Sequence, residues 1–273
     1  MFDQVMAQRA AENLKNVREK GPLVHNITNL VVMNFTANAL LACGASPVMA
    51  HAPEEVEEMV SFAGALVLNI GTLTPYWITS MLKAGKRANQ LNVPIILDPV
   101  GSGATTLRTQ SAKSLLNELD VSVVRGNASE VLSLAGDDSR TKGVDSIHSV
   151  EEAADAAGQL AKELGTTLAI TGAVDLVTDG SRVCRISNGH ELMGYVTGTG
   201  CAATALIGAF LAVQANSLEA ATTALAYFGL AGEKAAEQAN APGGFQLGLL
   251  DALFRIDGET LRKGAKIQCQ RSQ

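Results

Sequence analysis

The chain has 273 residues, of which 47% are hydrophobic, 18% charged and only 4% aromatic, with a formal net charge of −6. That is enough apolar material for one substantial core, and an acidic balance without any Lys/Arg-rich block excludes a general nucleic-acid binder. The four cysteines (Cys43, Cys184, Cys201, Cys269) show neither CxxC nor His-rich spacing, so neither zinc nor a disulfide framework is expected and a reduced, cytoplasmic setting fits.

Residues 1–20 read as an amphipathic helix with charges of both signs, not as a signal peptide. No apolar run is long enough to span a membrane. Next comes a polar segment, His25-Asn26-Ile27-Thr28-Asn29, which breaks into Leu30-Val31-Val32-Met33. Helical patterns are predicted over 28–42, 53–62, 75–91, 109–119 and 149–164, the last opened by the capping-box spelling Ser149-Val150-Glu151-Glu152. Between them, short apolar runs at 45–49, 65–70, 94–98, 121–125 and 167–171 read as buried strands. That alternation predicts an α/β fold of three layers, α/β/α, with a mostly parallel central sheet. Residues 175–178 and 182–187, turning at Asp179-Gly180, form a hairpin pattern at one edge. Helices are then expected over 200–214, 217–238 and 246–256. No repeat or linker divides the chain, so a single domain over 1–273 is expected.

Ligands of open α/β sheets bind outside the carboxyl ends of the strands. Several strands here end in polar or Gly-rich turns, and the candidate residues cluster there. The most informative stretch is Thr197-Gly198-Thr199-Gly200-Cys201, which opens directly into an apolar helix. Unpaired N–H groups of a helix's first turn, with the helix dipole behind them, favour a phosphate or a developing oxyanion. The bland alternative is a Gly-rich turn with a buried cysteine. The same letters match the GxGxxA dinucleotide fingerprint, but the motif falls late in the chain. Its would-be ribose acid, Glu219, belongs better to the first turn of the next helix.

Asp98 ends a buried strand and is followed by Pro99, which stops the strand there. Glu130 lies early in the next helix, and two carboxylates at neighbouring strand ends can hold Mg²⁺ through its retained waters. Asn127-x-x-Glu130 also reads as a capping box, and the two roles are compatible. Arg125 is a cation at a strand's carboxyl end, suited either to a phosphate or to a surface ion pair. Thr171, before Gly172, is a hydroxyl donor or a plain turn residue. Asn29 and Met49 suit either a planar ligand or, respectively, a helix start and the core. His25, His51, His148 and His190 show no triad or ligand spacing and read as structural or surface residues.

Taken together, these motifs resemble the hydroxyethylthiazole kinase family of the ribokinase-like superfamily over essentially the whole length. The resemblance rests on His25-Asn26-Ile27-Thr28-Asn29, Ile96-Leu97-Asp98-Pro99-Val100-Gly101, Arg125-Gly126-Asn127-Ala128-Ser129-Glu130, Thr171-Gly172 and Thr197-Gly198-Thr199-Gly200-Cys201. It implies phosphoryl transfer from ATP to the primary hydroxyl of 4-methyl-5-(2-hydroxyethyl)thiazole, in thiamine biosynthesis or salvage. It also implies that Arg125 and Thr171 bind ATP, that Asp98 and Glu130 serve Mg²⁺, and that Met49 and Gly198 contact the thiazole with Asn29 and Val31 as neighbours. Cys201 stands where most of the superfamily carries an aspartate, the catalytic base. The resemblance further implies a homotrimer with active sites at subunit junctions. A helix N-terminus is expected to lower the Cys201 thiol from its ordinary value. Rival readings are a kinase of hydroxymethylpyrimidine and a non-catalytic sensor of thiazole or nucleotide.

Overall fold

Four of the five apolar runs become inner strands of one nine-stranded sheet in the computed structural model, which describes residues 2–135 and 150–271. The run at 45–49, expected to be buried, instead forms an edge strand whose residues are exposed or half-buried. In chain order the first half runs α1 (Phe2–Lys20), β1 (Leu23–Ile27), α2 (Met33–Cys43), β2 (Ser46–Val48), α3 (Val56–Val60), β3 (Ala65–Asn69), α4 (Pro75–Leu91) and β4 (Ile95–Asp98). There follow α5 (Thr106–Glu118), β5 (Val123–Asn127), α6 (Ala128–Leu132), α7 (Val150–Leu164), β6 (Thr167–Thr171), β7 (Asp175–Thr178) and β8 (Arg182–Ile186). A 3₁₀ turn (Glu191–Tyr195) leads into α8 (Thr199–Leu211), α9 (Ser217–Ala236), α10 (Pro242–Arg255), α11 (Gly258–Gly264) and β9 (Ile267–Arg271).

The strands lie in the order β2-β1-β3-β4-β5-β6-β7-β8-β9. Pairings from β2 to β6 are parallel, and those from β6 to β9 antiparallel. Side chains alternate between faces along each strand, and both faces are covered. Val24, Val67, Ile96, Val123 and Ala169 pack in one core with α1, α2 and α8 to α10. Leu66, Leu68, Ile95, Leu97, Val124 and Leu168 pack on the other face with α3, α4, α5 and α7. Burial on both sides is why these strands read as unbroken apolar runs. The three-layer expectation holds.

Caps set several helix ends. Thr74 and Thr105 accept the N–H groups of Trp77 and Arg108 at the starts of α4 and α5. Asn216 does the same for Glu219 at α9, which places that glutamate in a first helical turn, as its sequence context required. The Asn127–Glu130 capping box is also present. The capping box read at Ser149 falls partly outside the described residues.

Three departures have clear causes. The helix expected over 28–42 starts only at Met33, because residues 28–32 form a turn closed by the Val32 N–H on the Asn29 carbonyl. Before it lies the unanticipated strand β1, whose His25 and Asn26 are fully buried. Two polar residues broke the apolar signature of a strand that is nonetheless interior. Strand β9 was not anticipated either; it covers β8, so the hairpin is not the edge. Finally, Cys184 and Cys269 form a disulfide, against the expectation from spacing. They are 85 residues apart but are register partners in β8 and β9, with Cα atoms 4.1 Å apart. Pairing of that kind is set by the sheet and leaves no local sequence trace. Because the bond closes a long loop, reduction should lower unfolding free energy by about 2–4 kcal/mol; denaturant melts with and without reductant check this. Among the described residues, no helix is long and apolar enough to cross a membrane.

Candidate active site

The carboxyl ends of the six parallel strands share one rim. In sheet order, the rim carries Met49 after β2, Asn29 after β1, Asn69 ending β3, Asp98 ending β4, Arg125 in β5 and Thr171 ending β6. Helix α8 lies close over the sheet centre, since a Cβ on its Gly208 would meet Val67 Cγ2 at 3.1 Å and Val24 Cγ1 at 3.2 Å. Its start therefore comes down on the rim. Gly198 turns the chain into the helix with φ +88°, and no side chain caps that end. The first N–H groups of α8 are thus left for a ligand. A Cβ at Gly198 would meet Val32 Cγ1 at 2.9 Å, so the turn also packs tightly against the start of α2.

Behind this helix start is a buried polar cluster. Asn69 Nδ2 donates to Asp98 Oδ2 at 2.9 Å and to Cys201 Sγ at 3.2 Å. Asn29 Nδ2 donates to Asn69 Oδ1 at 2.9 Å and lies 3.4 Å from the same sulfur. Thr204, one turn into α8, donates its hydroxyl to Asp98 Oδ2 at 2.8 Å. Burial raises the Asp98 carboxyl to about 6 despite opposition from Arg125, Thr204 and Asn69. Its other oxygen, Oδ1, is buried without a partner. Burial, reinforced by the Asp98 charge, pushes the Cys201 thiol up to about 11. The expected lowering by the helix terminus is therefore overturned. Desolvation of a thiolate outweighs a partial dipole charge here.

Arg125 joins this cluster to a second feature. One guanidinium nitrogen lies 3.9 Å from Asp98 Oδ2, and another donates to the Thr171 hydroxyl. Gly200 allows the close approach: a Cβ there would sit 2.6 Å from Arg125 Nη1. Arg125, Thr171, Thr199 and Gly200 all line a cavity of about 490 Å³ whose lining also includes Leu225 and Phe228. Cation, hydroxyl and helix terminus converge as an anion would require, beside apolar walls that suit a planar ring. His190, expected to be structural or at the surface, lines this cavity and also accepts the Leu192 N–H.

Glu130 is held rather than free. Its Oε2 accepts the Asn127 N–H at 2.9 Å, and its Oε1 accepts the Gly101 N–H at 2.8 Å. It therefore ties the loop after β4 to the end of β5, and its charge is felt at Asp98. Met49 is half-buried at the far end of the rim. Val31 is 69% exposed, with its N–H on Asn29 Oδ1 at 3.1 Å. The structure thus brings Asn29, Asp98, Arg125, Thr171 and Cys201 into one network and places Met49 and Val31 at its periphery. Of the histidines, His25 is buried with Nε2 2.7 Å from the Ala50 carbonyl and His51 packs on Trp77, while His148 lies outside the described residues.

Asn69 is visible in sequence only as part of a polar strand-end turn, with no role of its own, and Thr204, Arg108 and the cavity-lining Asp175 escaped the sequence reading. Asn69 carried a signal, as a polar residue closing an apolar strand run. Thr204 and Asp175 looked like ordinary helix and hairpin residues. Arg108 donates to the carbonyls of Ile70, Gly71 and Val100 at 3.1, 2.9 and 2.6 Å, fastening the loops after β3 and β4 together. Nothing local in the sequence marks an arginine whose partners are backbone carbonyls of distant loops.

The family model described as the hydroxyethylthiazole kinase family matches residues 14–259. A hydroxyethylthiazole kinase of Desulfotalea psychrophila is 64% identical over 259 residues, covering 95% of each chain. The solved structure of a hydroxyethylthiazole kinase from Pyrococcus horikoshii superposes with a TM-score of 0.89 at 52% identity, covering 96% of this chain and 98% of that one. A ribokinase-like superfamily protein from Enterococcus faecalis shares the fold with a TM-score of 0.65 at 14% identity, covering 90% of this chain and 89% of that one. By its sequence over nearly its whole length, the chain belongs to the hydroxyethylthiazole kinase family.

Proposed function

We propose that the protein transfers the γ-phosphoryl group of ATP to the primary hydroxyl of 4-methyl-5-(2-hydroxyethyl)thiazole, within thiamine biosynthesis or salvage. The observation that carries this reading is the convergence of Arg125, Thr171 and the uncapped start of α8 on one cavity, directly beside Cys201 and Asp98. Arg125 and Thr171 bind the triphosphate, and the N–H groups of the Gly198–Cys201 turn receive the charge that develops on transfer. Asn29, Val31, Met49 and Gly198 form the acceptor side.

The orphaned, buried Oδ1 of Asp98 is the observation that fits a Mg²⁺ ion. Glu130 adds charge nearby but spends an oxygen on each of two amides. Among the described residues there is no group of three or more His, Cys, Asp or Glu suited to a metal. A donor set this sparse suits Mg²⁺, which keeps waters and shares phosphate oxygens. When bound, the ion neutralises charge on the phosphates.

Cys201, raised to about 11, is protonated at neutral pH. Phosphoryl transfer depends mainly on positioning and charge neutralisation, so a strong base is not required. Cys201→Ser should keep substantial activity and Cys201→Asp should not abolish it, as steady-state rates would report. A Cys201→Ser enzyme as inactive as one with a disrupted Gly200 would overturn this assignment.

The exposed Leu30 and Val31 beside Asn29, at 67% and 69%, support a neighbouring subunit that completes the acceptor side. The protein is accordingly proposed to be a homotrimer. Sedimentation equilibrium should return three times the chain mass, and a monomer with full activity would refute it.

The decisive assay is ADP release from Mg-ATP with hydroxyethylthiazole, with hydroxymethylpyrimidine and with no acceptor. Turnover with the thiazole alone supports the proposal. Saturable thiazole binding without turnover would make the protein a sensor instead.

A further inference from the structure

Asp175 is a carboxylate lining the cavity that Arg125 and Thr171 enter, and Glu191 lines it too. Asp175 opens β7, whose antiparallel register with β6 pairs Ala169 with Val177 and Ile170 with Leu176. The next pair along is Thr171 with Asp175. Side chains directly opposite in a ladder stand on the same face, and period two puts both with Ala169 and Val177, on the face beneath α8 and α9. Both line the cavity that Arg125 and Gly200 also line. Asp175 Oδ1 accepts the Gly172 N–H at 3.0 Å, whereas among the described residues no group donates to Oδ2. Burial raises this carboxyl to about 6, partly offset by Gly172 and Arg125. It is still mainly ionised at pH 7.5.

A free carboxylate oxygen would repel a phosphate, so it needs a ligand that donates. In a nucleoside triphosphate the sugar hydroxyls lie between the phosphates and the base. The cavity lining offers the matching set of chemistry: Arg125 and Thr171 for phosphate, Asp175 across the ladder from Thr171, and the apolar Leu225 and Phe228 for a ring. We propose that Asp175 Oδ2 accepts a hydrogen bond from a ribose hydroxyl, making this cavity selective for a ribonucleoside triphosphate over its deoxy analogue. The assignment deepens the kinase reading above and rests on it. Asp175 is then a specificity residue that touches the nucleotide and takes no part in the transfer.

The test is calorimetric binding of ATP, 2′-deoxy-ATP, 3′-deoxy-ATP, ITP and inorganic tripolyphosphate to the wild type and to Asp175→Asn, with KM for each nucleotide as a second readout. Asparagine keeps the acceptor for the Gly172 N–H but places an amide donor where Oδ2 stood. The wild type should bind ATP about tenfold more tightly than one of the deoxy analogues, the scale of a hydrogen bond to a charged group. Asp175→Asn should bring that ratio to within about twofold, with tripolyphosphate binding unchanged or tighter. Asp175→Ala, checked by thermal melt, should behave likewise. If the ratio is the same in wild type and variants, or if the discrimination lost is that between ATP and ITP, the assignment fails while the kinase reading stands. A wild type that binds no ATP removes both.

Discussion

Gly200→Ala should reduce kcat/KM for the ATP reaction by about a hundred- to a thousand-fold while leaving the fold intact. The added methyl would sit 2.6 Å from Arg125 Nη1, 3.2 Å from Nη2 and 3.3 Å from Cζ. The guanidinium has little room to retreat. It is tied to the Thr171 hydroxyl, faces Asp98 and has a buried Nε. On the kinase reading, moving it takes Arg125 away from the phosphates and crowds the first N–H groups of α8. Stability should not suffer in parallel, because alanine is the better helix former by about 1 kcal/mol. The double variant Gly200→Ala/Arg125→Ala should be scarcely worse than Arg125→Ala alone, since both act through one contact. A Gly200→Ala enzyme with a third or more of wild-type kcat/KM would show that this contact is irrelevant to catalysis.

Asp98→Asn separates function from stability in the opposite sense. Losing the charge should cost activity on a similar scale, about a hundred-fold or more, because both the orphaned Oδ1 and the countercharge to Arg125 go. Yet the variant should melt no lower than wild type at pH 8. The folded carboxyl titrates near 6, above the ordinary 3.8 it recovers on unfolding. Between those values the native state holds more protons than the unfolded one, so stability from this group falls as pH rises from about 4 to about 6. Above that window the buried charge remains a net cost of up to about 3 kcal/mol. An amide of the same shape removes it. Melting curves at pH 4 and pH 8 check the sign: the variant should gain on the wild type as pH rises. A variant that loses ground at pH 8 would mean that the carboxylate is stabilised in place by its neighbours.

Both experiments turn on residues whose roles were differently visible. Asp98 and Gly200 could be picked out because each stands at a junction between an apolar run and a break. Arg125 and Thr171 shared that position, and the Asn127–Glu130 spelling predicted a capping box that is present. Asn69 and Thr204, which hold Asp98 Oδ2 from β3 and α8, come from segments 135 residues apart. No window along the chain contains both. The direction of the Cys201 shift was misjudged for the same reason. The helix terminus is local and visible in sequence, while the burial and the Asp98 charge that dominate it come from other elements.

The sequence by itself determined the layered α/β architecture, because apolar periodicity records which faces each element must bury, and it determined which strand ends carry polar chemistry. It also determined family membership, since motifs in fixed order survive without coordinates. Only the tertiary structure decided that β1 is interior despite its histidine and asparagine, that β9 closes the sheet, and that Cys184 meets Cys269. It alone decided that Asp98 is raised, Cys201 silenced and Asp175 turned into the cavity. Packing period is a property of neighbours along the chain. Desolvation and cross-strand register are properties of neighbours in space, and folding is what supplies them.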